Sequence, residues 1–162
     1  MAVPLFPRPS SVAVETVRAA VLTEARTWIG SPYRHQASCK GGGCDCLGLL
    51  RGIWRALYGL EPQDIPSYTA DWAETGGAET LIEAGRTWLQ EITLEVAQPG
   101  DVLVFRWRDG VPAKHVGILS GPLTESPMLI HAYERVGVLE SPLVPAWHRR
   151  IAAVFSFPKE GI

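Results

Sequence analysis

The side chains best suited to chemistry are a cluster of cysteines and two histidines in separate parts of the sequence. Cys39, Cys44 and Cys46 lie within eight residues of one another, and His115 and His131 lie far downstream. An odd number of closely spaced cysteines does not resemble the disulfide framework of a small secreted domain. The cysteines therefore indicate either a set of metal ligands or a catalytic thiol.

Cys46 is predicted to open a helix over residues 46–58. Apolar residues recur there at helical spacing, Asp45 stands where an N-cap belongs, and Gly59 follows the last turn. A thiol at a helix N-terminus lies at the positive end of the helix dipole, which favours the thiolate. The backbone N–H of Cys46, which has no partner within its own helix, is available to donate to an oxyanion.

The strands that carry the two histidines are predicted to pair as a hairpin around a turn near residue 123. In that register His115 lies directly opposite His131, on the same face of the sheet. Gly117 leaves a gap on that face, into which we expect the Cys46 helix to press. This arrangement would join a nucleophile, a base and a second imidazole that orients the base.

A zinc site is the alternative use of the cysteines. Cys39, Cys44 and Cys46, with His35 upstream, offer four side chains of the types that bind zinc. Such a site would consume the thiol at the helix start, so it competes with the catalytic interpretation. Cys39 and Cys44 could also be plain loop thiols, or form a redox lock with Cys46.

Helices are predicted in the first half of the chain and strands in the second. Residues 1–10 are rich in proline and expected to be extended, and a helix follows from Ser11 to about Ile29. Asp71 and Glu74 fit the capping box of a third helix, which a Gly-Gly pair interrupts and which resumes over residues 78–90. Period-two patterns predict strands at 102–105, 115–120, 128–133, 136–139 and 152–157. The order predicts a single α+β domain over residues 1–162, with helices packed on a central antiparallel sheet.

Composition excludes two classes of partner. The net charge is −2 with dispersed basic residues, which gives no footprint for a nucleic acid. No apolar run approaches the ~20 residues needed to cross a bilayer, so we expect no membrane span. The first residues lack the basic and apolar regions of a signal peptide, and we expect none.

Five short blocks together resemble the NlpC/P60 family of cell-wall peptidases. Their order and spacing are similar to the family across roughly residues 14–157, and they are Gly30–Tyr33, Cys44–Leu49, Gln98–Leu103, Lys114–Leu119 and Ile130–Ala132. The segments 32–37 and 43–49 look most like the branch of the family found in phages and gene transfer agents. Two departures stand out: Leu47 replaces the usual serine after the nucleophile, and His35-Gln-Ala replaces a Gly-Gly.

The resemblance implies a papain-like fold and a cysteine peptidase that needs no cofactor or metal. Its substrates would be peptidoglycan stem peptides, cut commonly between D-glutamate and diaminopimelate. Cys46 would be the nucleophile, His115 the base and His131 the third polar residue. The resemblance also implies that the Tyr33 hydroxyl contributes to the oxyanion hole, and that Asp45 lies near the free amine of the substrate.

The branch of the family also implies where the protein would act. It would be made in the cytoplasm, be incorporated into the tail of a phage-like particle beside tail or baseplate proteins, and act on the cell wall in the periplasm. An architectural alternative is a tail or baseplate component of the virion whose site is silent.

Overall fold

The protein combines helices with antiparallel sheet in a computed structural model that describes residues 11–63 and 79–159. In these ranges the helices are α1 (Ser11–Thr27), α2 (Cys46–Tyr58), α3 (Thr80–Trp88) and α4 (Pro145–His148). The strands are β1 (Ser38–Cys39), β2 (Gly43–Cys44), β3 (Gln90–Ile92), β4 (Val102–Phe105), β5 (His115–Leu119), β6 (Met128–Tyr133), β7 (Gly137–Pro142) and β8 (Ile151–Ser156). A 3-10 turn at Leu94–Val96 precedes β4.

The strands form one six-stranded antiparallel sheet and a separate two-stranded ribbon. The large sheet has the order β3-β8-β4-β5-β6-β7, and β1 pairs with β2 in the ribbon just before α2. Of the helices in the described ranges, α1, α2 and α3 precede the large sheet along the chain, and every strand pair in both sheets is antiparallel. The predicted α+β class with helices packed on an antiparallel sheet is therefore confirmed.

The large sheet has two differently built faces, because side chains alternate along each strand. The helix face packs against α1, α2 and α3, and it includes Val102, Val104, Val116, Ile118, Ile130 and Phe155. The other face, here called the imidazole face, consists of Leu103, Phe105, His115, Leu119, Leu129 and His131, and Trp147 of α4 packs against it. The histidines thus lie on the side of the sheet that α2 does not cover.

A buried ion pair ties α1 to the sheet. Arg18 donates from Nε and Nη2 to the two carboxylate oxygens of Asp101, at 3.0 and 2.9 Å. Asp101 also accepts from the Ser156 hydroxyl and from the Gln98 backbone N–H. Because all these donors converge on a fully buried carboxylate, the Pro-Gly-Asp segment before β4 has a structural role.

Several boundaries differ from the sequence prediction. The helix expected over 78–90 ends at Trp88, because Gln90–Ile92 instead pairs with β8 at the edge of the sheet. Strand β7 continues to Pro142 rather than stopping at residue 139, since it pairs with β6 along its whole length. The ribbon and α4 had no sequence prediction. The predicted extended segment 1–10 and capping box at 71–74 lie outside the described residues.

Across residues 11–63 and 79–159, none of the helices combines the length and the apolar character required to cross a bilayer.

Candidate active site

Cys46 is the first residue of α2, as predicted, and its surroundings hold it firmly there. Asp45 caps the helix by accepting a 2.7 Å hydrogen bond from the Gly48 N–H. The chain before the ribbon crosses the first turn so closely that a Cβ at Gly48 would lie 1.9 Å from the Ala37 carbonyl oxygen. A glycine is therefore required two residues after Cys46.

The sulfur of Cys46 lies at the start of β5. Its thiol is 3.8 Å from the carbonyl oxygen of Lys114, and the Val116 backbone N–H is directed towards it. These two groups flank His115 in the chain. The thiol is half-buried, so it remains open to a cavity.

The electrostatic surroundings of Cys46 favour the thiol over the thiolate. Burial raises the pKa of Cys46 to about 12, and the neighbouring carboxylate of Asp45 adds to this effect. Backbone N–H groups, including those of Val116 and Leu47, act in the opposite direction but are outweighed. The thiolate expected from the helix dipole alone is thus wrong for the unliganded protein, because burial outweighs the helix terminus.

The two imidazoles meet in a hydrogen-bonded chain. His115 Nε2 lies 2.9 Å from His131 Nδ1, and His131 Nε2 lies 3.0 Å from the hydroxyl of Ser141 on β7. If each ring carries its proton on Nε2, His115 donates to His131 and His131 donates to Ser141. That arrangement leaves Nδ1 of His115 as the nitrogen able to accept a proton.

The predicted register of the histidine hairpin is wrong by two residues. Ile118 pairs with Ile130, and this register continues to place Gly117, not His115, opposite His131. The pairing of Ser120 with Met128 centres the turn on residue 124 rather than 123. Because side chains repeat every two residues, the shift leaves both imidazoles on one face, in diagonal contact.

The gap at Gly117 is occupied by the hairpin itself and not by the Cys46 helix. A Cβ on Gly117 would lie 3.0 Å from the Cβ of His131 and 2.7 Å from a methyl group of Leu129. Helix α2 packs on the helix face instead, through Leu49 and Ile53. The expectation that the helix presses on the imidazoles was wrong, and Cys46 reaches β5 from the end of the strand.

Aromatic rings enclose the imidazole pair. Trp107 stacks on His115 with ring centroids 5.3 Å apart, and Trp147 meets the rings of His115 and His131 edge-on at 5.5 and 5.1 Å. Burial lowers the pKa of His115 to about 3, with a contribution from the second imidazole, and lowers the pKa of His131 to about 4. Both rings are therefore neutral at pH 7.

A cavity of about 550 Å³ brings the predicted site residues together. Its walls include Cys46, His115, Tyr33 and Asp45, while His131 stands behind His115 as its hydrogen-bond partner. The walls also carry Leu47, the residue found where a serine was expected from the resemblance. The cavity therefore offers a substrate access to the thiol and to the base from one side.

Tyr33 keeps its hydroxyl proton beside the thiol. An isolated bridge to Cys44 fixes its backbone next to the ribbon. Burial raises the pKa of Tyr33 to about 12, and the nearby Cys46 and Asp45 contribute in that order. A protonated phenol at this position is able to donate a hydrogen bond into the cavity.

Asp45 has a larger structural role than the sequence suggested. The residue is only 2% exposed. Besides capping α2, its carboxylate accepts a 2.7 Å hydrogen bond from the Gln36 backbone N–H. The His35 ring lies 3.9 Å from the same carboxylate. Asp45 therefore orders the loop over the nucleophile as well as lining the cavity, and its predicted role near a substrate amine stays a prediction.

Three residues around the imidazoles were not found by sequence reasoning. Ser141 lay beyond the end of the predicted strand, and no pattern pointed to Trp107 as a neighbour of His115. Trp147 of α4 packs over the imidazole face, against both His115 and His131. A period-two extension of β7 was the one available signal, and it would have found Ser141.

The zinc alternative gains no support from the described ranges. Among residues 11–63 and 79–159, no group of three histidine, cysteine or acidic side chains is placed to hold a metal ion. Cys39 is exposed at the end of β1, Cys44 is buried in the core, and Cys46 faces the cavity. The three cysteines thus have separate environments.

Known proteins share this arrangement of helices and sheet. The chain is 27% identical over 128 residues to a protein named probable endopeptidase NlpC from Escherichia coli K12, covering 79% of this chain and 70% of that protein. The crystal structure of the NlpC/p60 domain of the peptidoglycan hydrolase SagA matches with a TM-score of 0.51 and 25% identity, over 78% of this chain and 89% of that one.

A second solved structure supports the fold alone. It is a lipoprotein-like protein of the NLP/P60 family from Staphylococcus aureus Mu50, with a TM-score of 0.56 and 19% identity. The match covers 96% of this chain, which spans 45% of the staphylococcal protein.

The family model described as NlpC/P60 matches residues 30–155, which include the ribbon, α2 and all the strands that carry the histidines. The chain therefore belongs to the NlpC/P60 family.

Proposed function

We propose that this protein is a cysteine peptidase that hydrolyses peptide bonds in the stem peptides of bacterial peptidoglycan. Cys46 is the nucleophile, His115 the base, and His131 the residue that orients the base. The observation that carries the proposal is the position of the Cys46 sulfur against the backbone on either side of His115, in a cavity that both side chains line. Family membership supports the same activity.

The reaction starts from a neutral pair, since the surroundings keep the Cys46 thiol protonated and His115 uncharged. As the sulfur attacks the scissile carbonyl carbon, Nδ1 of His115 takes the thiol proton. The new imidazolium is stabilised by its bond to His131. The developing oxyanion accepts hydrogen bonds from the Cys46 backbone N–H and from the Tyr33 hydroxyl.

The imidazolium of His115 then protonates the leaving amine as its bond to the carbonyl carbon breaks, which leaves a thioester on Cys46. Water, deprotonated by His115, attacks the thioester and releases the carboxylic acid and the thiol. In this scheme the chemistry uses side chains, the backbone N–H of Cys46 and water. In this scheme the preferred bond is that between D-glutamate and diaminopimelate, a preference supported by the family resemblance.

Replacing the nucleophile tests the proposal directly. We expect Cys46→Ala to lower the release of soluble fragments from purified sacculi by at least about 10³-fold, because no other group forms the thioester. Cys39→Ala, which removes the exposed thiol on β1, is the matched control and is expected to retain full activity. Undiminished lysis by the Cys46 variant would end the proposal.

Analysis of the products in ¹⁸O-labelled water identifies the reaction and the bond. Hydrolysis places one ¹⁸O atom in the new carboxyl group, whereas transfer to an amine places none. Mass spectrometry of the fragments reports whether the new terminus is D-glutamate. A different terminus would move the proposed cleavage site without removing the activity.

We further propose that the enzyme works as part of a phage-like or gene-transfer-agent tail, reaching the cell wall in the periplasm together with tail or baseplate proteins. The support is the likeness of residues 32–37 and 43–49 to that branch of the family. Mass spectrometry of purified particles tests this proposal. Particles that lack the protein would contradict it.

A further inference from the structure

Two carboxylates line the cavity that holds the thiol. Both Asp45 and Glu134 lie close enough to Tyr33 for their charges to raise the pKa of its hydroxyl. Asp45 and Glu134 also line the cavity, beside Cys46. Lys114 and Arg135 line the same cavity, so both signs of charge face a ligand.

Arg150 also lines this cavity. Its guanidinium carbon lies 5.9 Å from the centroid of the Trp107 ring, and that ring is stacked on His115 at 5.3 Å and 27°. Trp107 therefore contacts both the guanidinium of Arg150 and the imidazole of the base. Cation–π contact of this kind holds the guanidinium plane near the ring while its edge remains open to hydrogen bonds.

The backbone at Arg150 is anchored by two hydrogen bonds. Its N–H donates to the Trp147 carbonyl and its own carbonyl accepts from the Arg106 N–H, which fixes the start of β8. Within residues 11–63 and 79–159, no carboxylate forms an ion pair with Arg150. The guanidinium is exposed at the cavity wall with its donors available.

The chemistry of the proposed reaction relates Arg150 to one side of the substrate. The leaving amine has to lie within reach of His115, because His115 protonates it. A group bound by Arg150, which shares its Trp107 contact with His115, is therefore assigned to the residue whose amine is released. A guanidinium binds a carboxylate with two parallel hydrogen bonds. A carboxylate is therefore the ligand group that best matches the charge and the donors of Arg150.

We propose that Arg150, held on Trp107, binds the carboxylate of the amino acid on the leaving side of the scissile bond. The inference rests on the proposed peptidase function and specifies its substrate class as peptides with an acidic leaving residue. Diaminopimelate that ends a tripeptide stem carries a free carboxylate next to the released amine and has this chemistry. An amidated leaving residue lacks it.

Two peptides and two arginine variants test the assignment. The peptides are alanyl-γ-D-glutamyl-diaminopimelate with the carboxylate beside the scissile amide either free or converted to a carboxamide. For the wild-type enzyme we expect amidation to lower kcat/KM by roughly 10- to 100-fold. For Arg150→Gln we expect the same low value with both peptides, because the carboxylate has lost its partner.

Arg149→Gln is the matched control. Arg149 is the adjacent exposed arginine and lines neighbouring cavities rather than the one that holds Cys46. Its variant is expected to keep the wild-type preference for the free carboxylate. The assignment would be overturned by an Arg150 variant that keeps the full preference for the free carboxylate. It would also be overturned if kcat/KM fell by the same factor on both peptides, so that their ratio stayed that of the wild type. Either result would leave the peptidase proposal intact.

Binding to the Cys46→Ala variant separates the two proposals. Isothermal titration of that variant is expected to show tighter binding of the free carboxylate than of the carboxamide, and Arg150→Gln in the same background is expected to abolish the difference. An equal affinity for both peptides in the presence of Arg150 would refute the carboxylate site. Absence of Cys46-dependent cleavage alongside a selective titration would instead refute the peptidase proposal.

Discussion

The two faces of the central sheet are made of the same strands but serve different ends. On the helix face, Val116 and Ile118 of β5 are buried in the apolar cluster that includes residues of α1 and α2. On the imidazole face, the alternate residues of the same strand include His115, whose ring is bonded to His131 under a layer of tryptophan. One face stabilises the fold through buried area, and the other holds two polar rings in a fixed, neutral and largely dry position.

The comparison shows how a small sheet supports a reactive site. A buried imidazole is costly unless its nitrogens have partners, and here His131 and Ser141 provide them. The helix face needs no such partners, so its packing offsets the cost of the polar pair. The separation predicts that substitutions on the two faces have opposite effects on activity and stability.

Removing the base is expected to give the largest effect. His115→Gln should lower kcat on sacculi by about 10³-fold, because the proposed mechanism passes the thiol proton through this imidazole. The free energy of unfolding should change by only about 1–2 kcal/mol, since glutamine is able to keep a hydrogen bond to His131. Kinetics and urea unfolding measured on the same preparation check both values. A variant with near-normal kcat would show that the two faces do not divide their roles.

A cavity on the helix face is expected to do the reverse. Ile118 is 1% exposed, and Ile118→Ala should lower the free energy of unfolding by about 2–5 kcal/mol. Under conditions where the variant remains folded, its kcat should stay within about twofold of the wild type, because the imidazoles face the other way. Loss of kcat in the fully folded variant would mean that the faces are mechanically coupled.

The dependence of the free energy of unfolding on pH should come from the imidazole face. Per histidine and per pH unit, it is expected to be the smallest of the effects predicted here. The pKa values of His115 and His131 are lowered from 6.5 to about 3 and about 4. Below pH 6.5 the unfolded chain therefore binds protons that the folded protein does not, so stability is greatest above that pH and falls on acidification. Each histidine should contribute a slope of about 1.4 kcal/mol per pH unit in this window.

Urea unfolding at a series of pH values between about pH 7 and pH 5 measures that slope. His131→Asn should reduce it, whereas His148→Gln, which alters an exposed histidine on α4, should leave it unchanged. A slope that persists in the His131 variant and in His115→Gln alike would place the proton uptake elsewhere in the molecule.

The elements were more predictable than their pairing. Strand β4 and helix α2 have the limits that period and capping predicted, because short-range patterns report directly on local backbone. The hairpin register was off by two residues, since it depends on how residues 121–127 turn. The pattern predicts helix as far as residue 90, whereas Gln90 begins strand β3, because only pairing with β8 makes that segment a strand.

By itself the sequence was sufficient to identify the helix that Cys46 opens, its Asp45 cap, the two histidine strands and the family resemblance. Only the tertiary structure decided which face of the sheet α2 covers, that His115 and His131 meet diagonally, and that Ser141, Trp107 and Trp147 complete their surroundings. The physical reason is that periodicity within a segment encodes which side chains share a face. Which element packs on that face depends on contacts between residues far apart in the chain. The same contacts cause the desolvation that sets the pKa of the thiol and of the imidazoles.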